Sequence, residues 1–296
     1  MAEARSIAAL FRTGPGAWFL DDERWLFEQS GDTEPRRLFR VAPPPGLEMR
    51  TPTGLARWRD SWWVTDGRSH LFRLSLDGRP RRPVPLPVPG STVLEAGDHL
   101  WVHSELPSTS ASRFWVSLNG VDFKPVTPAP GSLDEIPRGQ ILSNLLVLSG
   151  SPSGAIFFSP LVGPPVLYRM DARGVVHRFA LAYERSASRD ALTRFHPGHE
   201  DLTRYSAPVK DLVVLGAAIL VLRNREDEKT PSGLRHSLRK RVDRYEASGR
   251  HVGTAVFPVT IRAILREERD GVRVLGETGE VLWAPFGPPL AGRVFP

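Results

Sequence analysis

The chain has 296 residues, 41% of them hydrophobic, with eight tryptophans and 14 phenylalanines; that is enough apolar volume for a packed core and excludes a disordered chain. Its net charge of +6 comes almost wholly from arginine, since lysine stands only at 124, 210, 229 and 240; acidic residues are interspersed throughout, so charge alone selects no partner. The absence of cysteine excludes disulfides, thiolate metal sites and a cysteine nucleophile.

The N-terminal stretch MAEARSIAALFRTGPGAWFL has no sustained apolar core of a secretory leader, and no apolar run is long enough to span a membrane as a helix. The chain therefore reads as cytoplasmic, or as extracytoplasmic if a leader has been removed. Next come Trp25, Trp63 and Trp101, each following an acidic turn at Asp22, Asp60 and Asp98, in the runs RWLFEQ, SWWVTD and LWVHSE. Tryptophans and aspartates alike recur at intervals of 38 residues. A period near 40 built of short strands is the mark of a β-propeller blade, four antiparallel strands a to d.

The clearest copy runs from Leu55 to Pro87, with Asp77-Gly78 as a tight-hairpin signal between strands c and d. Corresponding glycines at Gly120, Gly174 and Gly249, with weaker ones at Gly46 and Gly287, make six copies. Ahead of these turns stand Arg40, Arg73, Arg169 and Arg244, assigned to strand c and expected to pair between blades or to stack on aromatic rings. The blades span about 16–51, 53–87, 91–127, 142–182, 209–257 and 260–286. The last is one strand short, while residues 5–12 precede the first without a place. This predicts a single all-β domain, a six-bladed β-propeller whose N-terminal strand completes the last blade.

The segment SWWVTDGRSHLFRLSLDG resembles an NHL-type repeat: a hydrophobic pair, an aspartate, a polar turn, then an aliphatic strand ending in Asp-Gly. The resemblance is best in blade two and extends in outline to blades three to five, and the wider pattern is that of TolB-like six-bladed propellers. It implies a superfamily of mostly non-catalytic recognition modules with some enzymes among them.

In such a blade the b–c and d–a connections leave one edge and the a–b and c–d turns the other. The long segments 104–112, 128–140, 182–208 and 223–241 are all of the first kind and belong to blades three to five. Connections this long are commonly functional. Partner contacts are expected from Tyr183, Arg189, Arg194, Phe195 and Tyr205 in one segment and from Arg235, Arg239 and Arg241 in another, because recognition surfaces favour arginine and aromatic anchors. His196, His199, Glu200 and Asp201 concentrate metal-ligating side chains and could hold a divalent ion, though His-Pro-Gly-His is also an ordinary solvated turn. No other cofactor is expected.

Segment 223–241 sets Glu226, Asp227 and Glu228 before Arg235, His236 and Arg239, the pattern of a charged hairpin. With no aromatic residue interleaved, it lacks the stacking platform of single-strand binders, so nucleic acid is an unfavoured partner. His99 and His103 flank LWV on one face of a strand, where either could line a site, and are expected to be hydrogen-bonded surface or packing residues. The sequence has no GxSxG, GxGxxG, P-loop or HExxH motif. A lactonase-like site would need a glutamate where GPGAWFL begins, and few asparagines are present. The reading is a non-catalytic recognition or scaffold module for another protein, through the loop-rich edge of blades three to five. The alternatives are a metal-dependent hydrolase at the same edge and a polyanion binder using its arginine-rich loops.

Overall fold

The computed structural model describes residues 7–13, 16–30, 35–105, 112–133, 146–160, 166–181, 209–223, 225–230, 233–238 and 240–288. These residues contain no helix, and the chain has the all-β fold of a six-bladed β-propeller. The first sheet holds β1 (Ile7–Thr13), β2 (Gly16–Asp21), β3 (Trp25–Ser30) and β4 (Arg36–Arg40). The second holds β5 (Gly54–Trp58), β6 (Ser61–Thr65), β7 (His70–Ser75) and β8 (Val84–Pro85), and the third β9 (Thr92–Ala96), β10 (His99–His103), β11 (Phe114–Ser117) and β12 (Lys124–Val126). The fourth is β13 (Leu146–Gly150), β14 (Ile156–Pro160), β15 (Val166–Met170) and β16 (Val176–Ala180). In the fifth, β17 (Val209–Leu215) and β18 (Ala218–Arg223) pair on to β21 (Arg241–Glu246) and β22 (His251–Val256), while β19 (Arg225–Thr230) and β20 (Gly233–Leu238) form a separate two-stranded sheet. The sixth is β23 (Ile261–Glu268), β24 (Gly271–Gly276) and β25 (Val281–Pro285).

By its contacts the chain divides into two compact units, Met1–Ala129 with Gly150–Ile156 and Asp171–Val175, and Pro130–Ser149 with Phe157–Met170 and Val176–Pro296. In the first, aromatic rings carry much of the packing: Phe11, Trp18 and Trp62 meet at centroid distances of 5.9 to 6.0 Å, and Trp58 and Trp63 at 6.1 Å. In the second, Leu212, Ile219, Val221 and Tyr245 pack on Phe157 and Leu167, and Leu220, Leu222 and Val242 on Ile264, Val272 and Val274. The second strands β6, β14 and β18 are buried at every position. A strand covered on both faces loses the alternation of a half-exposed one, which is why SWWVT, IFFSP and AILVLR read as continuous apolar runs.

The Asp-Gly signal of blade two is a five-residue turn in which Gly78 N–H donates to the Ser75 carbonyl at 2.9 Å and Ser75 N–H to the Arg79 carbonyl at 2.9 Å. The same bonds recur at Asp171–Val175 and Glu246–Arg250. The glycine takes φ of +84° to +86° in all three, the left-handed region that a Cβ disfavours. It also sits against the preceding blade. A Cβ at Gly78 would meet Phe39 at 2.5 Å, one at Gly120 would meet Trp63 at 2.7 Å, and one at Gly249 would meet Phe179 at 2.4 Å. The recurring glycine thus serves turn conformation and blade-to-blade approach together.

The N-terminal strand corrects the expected closure. β1 does not join the sixth sheet; it pairs antiparallel with β2, from Ile7 opposite Asp21 to Thr13 opposite Gly16, and is the first strand of the first blade. Gly14-Pro15 between the two strands is itself a turn signal. Among the described residues the sixth sheet has three strands. The first blade is consequently one strand out of phase with the sequence reading. Trp25 lies in a third strand, whereas Trp63 and Trp101 lie in second strands; Arg40 lies in a fourth strand and Gly46 beyond it. The interval of 38 residues is real, but its first step joins non-equivalent strands.

The strand-c arginines divide. Arg73 donates from Nε to Ser61 Oγ at 2.9 Å with its guanidinium 5.2 Å from the Trp63 ring, all within blade two. Arg244 pairs with Glu267 of the next blade at 2.6 Å. Arg40 donates to the Glu23 carbonyl at 3.2 Å.

Candidate functional site

Three places on the b–c and d–a connections concentrate polar side chains, one each in blades five, three and two. In blade five the insertion between strands b and c is the β19–β20 hairpin. Its register sets Glu226 opposite Ser237, Asp227 opposite His236 and Glu228 opposite Arg235. The acidic run of β19 therefore lies along the strand that carries Arg235 and His236, as the order of charges in the sequence suggests. Arg241 begins β21, opposite Val256. Tyr183, Arg189, Arg194, His196, His199, Glu200, Asp201 and Tyr205 lie outside the described residues, as do Phe195 and Arg239.

Where the hairpin leaves the sheet, Arg223 and Asp243 form a buried pair, 2% and 0% exposed. Arg223 Nη2 donates to Asp243 Oδ1 at 2.8 Å, and Nε donates to the other carboxylate oxygen. His251 Nε2 stands 3.4 Å from the same carboxylate and 3.2 Å from Thr254 Oγ1, and the Thr254 hydroxyl donates to Asp243 at 2.6 Å. Burial works to raise the Asp243 pKa, but the hydrogen bonds from His251, Arg223 and Thr254 and the Arg223 charge outweigh it and hold the carboxyl below its usual range. Arg223, Asp243, His251 and Thr254 engage one another, so the cluster ties β18, β21 and β22 together at the root of the hairpin.

In blade three the end of β10 carries His103, fully buried, 5.3 Å from the Phe114 ring. Neither ring nitrogen has a hydrogen-bond partner among the described residues. Burial, helped by the charge of Arg113, pushes its pKa down to about 3, so the imidazole is neutral at ordinary pH. The expectation of a hydrogen-bonded packing residue holds for packing alone. Next to it burial raises the Glu105 carboxyl. Glu105 N–H donates to Ser91 Oγ at 3.0 Å, and Ser104 N–H to the Arg113 carbonyl at 2.9 Å.

In blade two a cleft of about 400 Å³ opens among three connections, and no sequence motif marks it. Its frame is tied by backbone bonds. Asp66 accepts from Arg50 N–H at 2.9 Å and from Arg68 N–H at 3.1 Å, Gly67 N–H donates to the Gly90 carbonyl at 3.2 Å, and Gly90 N–H donates back to the Arg68 carbonyl at 3.0 Å. Arg68, Ser69 and His70 line one wall, Glu48 stands on another, and Leu47, Phe72 and Pro89 supply apolar surface. Phe72 is buried and Arg68 and His70 are half-buried. In the sequence these residues fall in DGRSH, whose Asp-Gly signals a turn and whose side chains form no motif.

Among the described residues no group of three or more His, Asp or Glu side chains is placed to hold a metal ion, and no helix is long and apolar enough to cross a membrane. No protein-family model matches the chain, and no characterised protein matches it by sequence. Solved structures do match. The WD40 domain of Neurospora crassa Pan2 is 10% identical with a TM-score of 0.53, covering 97% of this chain and 81% of that one. The RRP9 WD40 repeats are 9% identical with a TM-score of 0.52 over 97% and 96% of the two chains. Hydrazine synthase of Kuenenia stuttgartiensis is 10% identical with a TM-score of 0.55 over 93% and 75%. At such identities the likeness is one of fold alone.

Proposed function

We propose that this protein is a non-catalytic recognition module that binds a protein partner through the b–c and d–a connections of blades three to five, with the β19–β20 hairpin as principal contact. The observation that carries the reading is the hairpin itself, a two-stranded sheet inserted between strands b and c of blade five, with Glu226, Asp227 and Glu228 of β19 set opposite Ser237, His236 and Arg235 of β20. A two-stranded ribbon offers outer strand edges to a partner strand, and its ordered charges would set register and exclude like-charged partners. The Arg223–Asp243 pair at its root holds the blade while the hairpin engages. The fold neighbours named for WD40 repeats agree with a scaffold, since that architecture presents loops on a rigid β framework. Tyr183, Arg189, Arg194, Phe195 and Tyr205 belong to the neighbouring d–a connection and would extend the same surface.

The test replaces residues 225–238 with a short Gly-Ser turn and compares the variant with the intact chain. The sheet signature in circular dichroism and the melting temperature should be retained. A partner that cross-links through Lys229 in the intact chain should be lost, and its affinity for the intact chain should fall with added salt. Unchanged partner affinity in the shortened protein would exclude the hairpin. A stoichiometric metal in the intact protein, lost from a His196→Ala/His199→Ala variant, would replace this reading with that of a metal-dependent hydrolase.

A further inference from the structure

We infer that the blade-two cleft bounded by Glu48, Arg68 and His70 is a binding site for a carboxylate carried on an apolar body, independent of the hairpin surface. Its frame is tied within the protein: Asp66 holds two backbone N–H groups, and Gly67 and Gly90 tie the b–c connection to the d–a connection that follows β8. Its side chains are not. The Arg68 guanidinium, the His70 imidazole, the Ser69 hydroxyl and the Glu48 carboxylate make no hydrogen bond or ion pair with any described residue. This contrasts with Arg73, Arg81 and Arg59 of the same blade, whose guanidinium groups meet Asp60, Asp60 and the Leu118 carbonyl.

A half-buried guanidinium and a half-buried imidazole two residues apart, on the bend that leads into β7, both line the cleft and offer it several N–H donors, the chemistry that suits a planar oxyanion. Ser69 adds a hydroxyl beside them. Leu47, Phe72 and Pro89 line the same cleft, so a ligand that satisfies the donors also puts apolar surface against it. Glu48 on the facing wall repels a ligand with charge spread over its length and favours an N–H or ammonium at that end. A carboxylate next to an aliphatic or aromatic side chain, with a donor further along, meets all three demands. Such a group occurs in a small carboxylic acid and at the C-terminus of a peptide. Because the frame is held by backbone bonds, the site is formed before the ligand arrives and needs no loop to order.

The experiment titrates the whole protein, by calorimetry and by chemical shifts of histidine and arginine side chains, with N-acetyl-leucine, N-acetyl-leucine amide, a tetrapeptide ending in leucine and the same peptide amidated at its C-terminus. Free carboxylates should bind at least 10-fold more tightly than their amides, in keeping with a charge-assisted contact. Arg68→Gln should erase that preference while leaving the amide affinity unchanged, and Glu48→Gln should weaken the peptide more than the acetylated amino acid. Binding of both free acids assigns a small-acid source; binding of the peptide alone assigns a C-terminus, and either supports the site. The inference is overturned if acid and amide bind alike, if Arg68→Gln keeps the preference, if nothing binds at about 10 mM, or if inorganic phosphate binds through Arg68 where carboxylates do not. Loss of the hairpin partner leaves these outcomes unchanged, so the two readings fail separately.

Discussion

Blade two and blade five solve the same packing problem with opposite uses of polar side chains. In blade five Arg223 and Asp243 are buried and joined to each other, with His251 and Thr254 completing the set. In blade two the buried interior is aromatic, with Trp62, Trp63 and Phe72, and the half-buried Arg68 and His70 side chains stand in a cleft without a partner among the described residues. Polar groups satisfied by one another hold a fold, and polar groups left unsatisfied on a rigid frame await something else. Sorting side chains by partner therefore separates support from recognition within one repeated architecture.

The largest effects should come from the buried parts of both blades. Trp63 is 1% exposed, donates to the Trp58 carbonyl at 3.4 Å and lies under the turn at Gly120, so Trp63→Ala should cost about 3 to 5 kcal/mol in urea denaturation. Trp25 is half-exposed, and its ring is covered by Arg37 at 4.2 Å, so Trp25→Ala should cost only about 1 kcal/mol. Equal costs would mean that the two tryptophans are equivalent after all, against their different strands.

Asp243→Ala should likewise cost about 3 to 5 kcal/mol, because it leaves the Arg223 guanidinium buried without its carboxylate. Here the comparison with blade two can be broken. If the pair only supports the fold, Arg223→Met/Asp243→Leu should recover most of that loss, as apolar replacement of a buried ion pair often does. Failure to recover, with partner binding lost as well, would give the pair a role in recognition.

His103 lies between these cases, being buried without a partner. Its folded pKa of about 3 is below the ordinary 6.5, so the unfolded chain binds the extra proton and stability falls as pH drops from 6.5 towards 3. Between pH 7 and pH 4 the loss is about 3 kcal/mol. Asp243 is shifted in the same direction but titrates lower: with its pKa held below 3.8, its stabilisation is present above that value and is lost as pH falls further, below this window. His103→Leu should flatten the denaturation midpoint between pH 4 and 7. Parallel curves for variant and parent would show that His103 takes up its proton within the fold.

What could be read in advance follows the range of the interactions. Asp77-Gly78 and its counterparts at Gly174 and Gly249 are local turns whose demand for a left-handed residue is written in neighbouring positions. The continuous apolar runs of the second strands are also local. Trp25 misled because an interval matched while the strand number did not, and only the pairing of Ile7–Thr13 with Gly16–Asp21 sets the phase. Burial of His103 depends on what covers β10, which its own sequence does not specify. The cleft is assembled from the connections around residues 47–48, 67–70 and 89, and no linear motif spans them.

The smallest expected effect tests the sorting rule itself. Arg68→Gln removes a guanidinium that has no hydrogen bond or ion pair among the described residues, so stability should stay within about 0.5 kcal/mol of the parent, the ordinary range for substitutions away from structural contacts. The Arg68 N–H bonds to Asp66 through the backbone and is unaffected by the change. Asp66→Ala is the matching control: it removes the carboxylate that accepts from both Arg50 and Arg68, and should destabilise the protein by about 1 to 3 kcal/mol through two backbone donors left without it. A stable Arg68 variant beside a destabilised Asp66 variant would separate the frame of the cleft from its contents. Destabilisation of more than about 1 kcal/mol by Arg68→Gln would place Arg68 with Arg223, as support, and remove the distinction between the two blades.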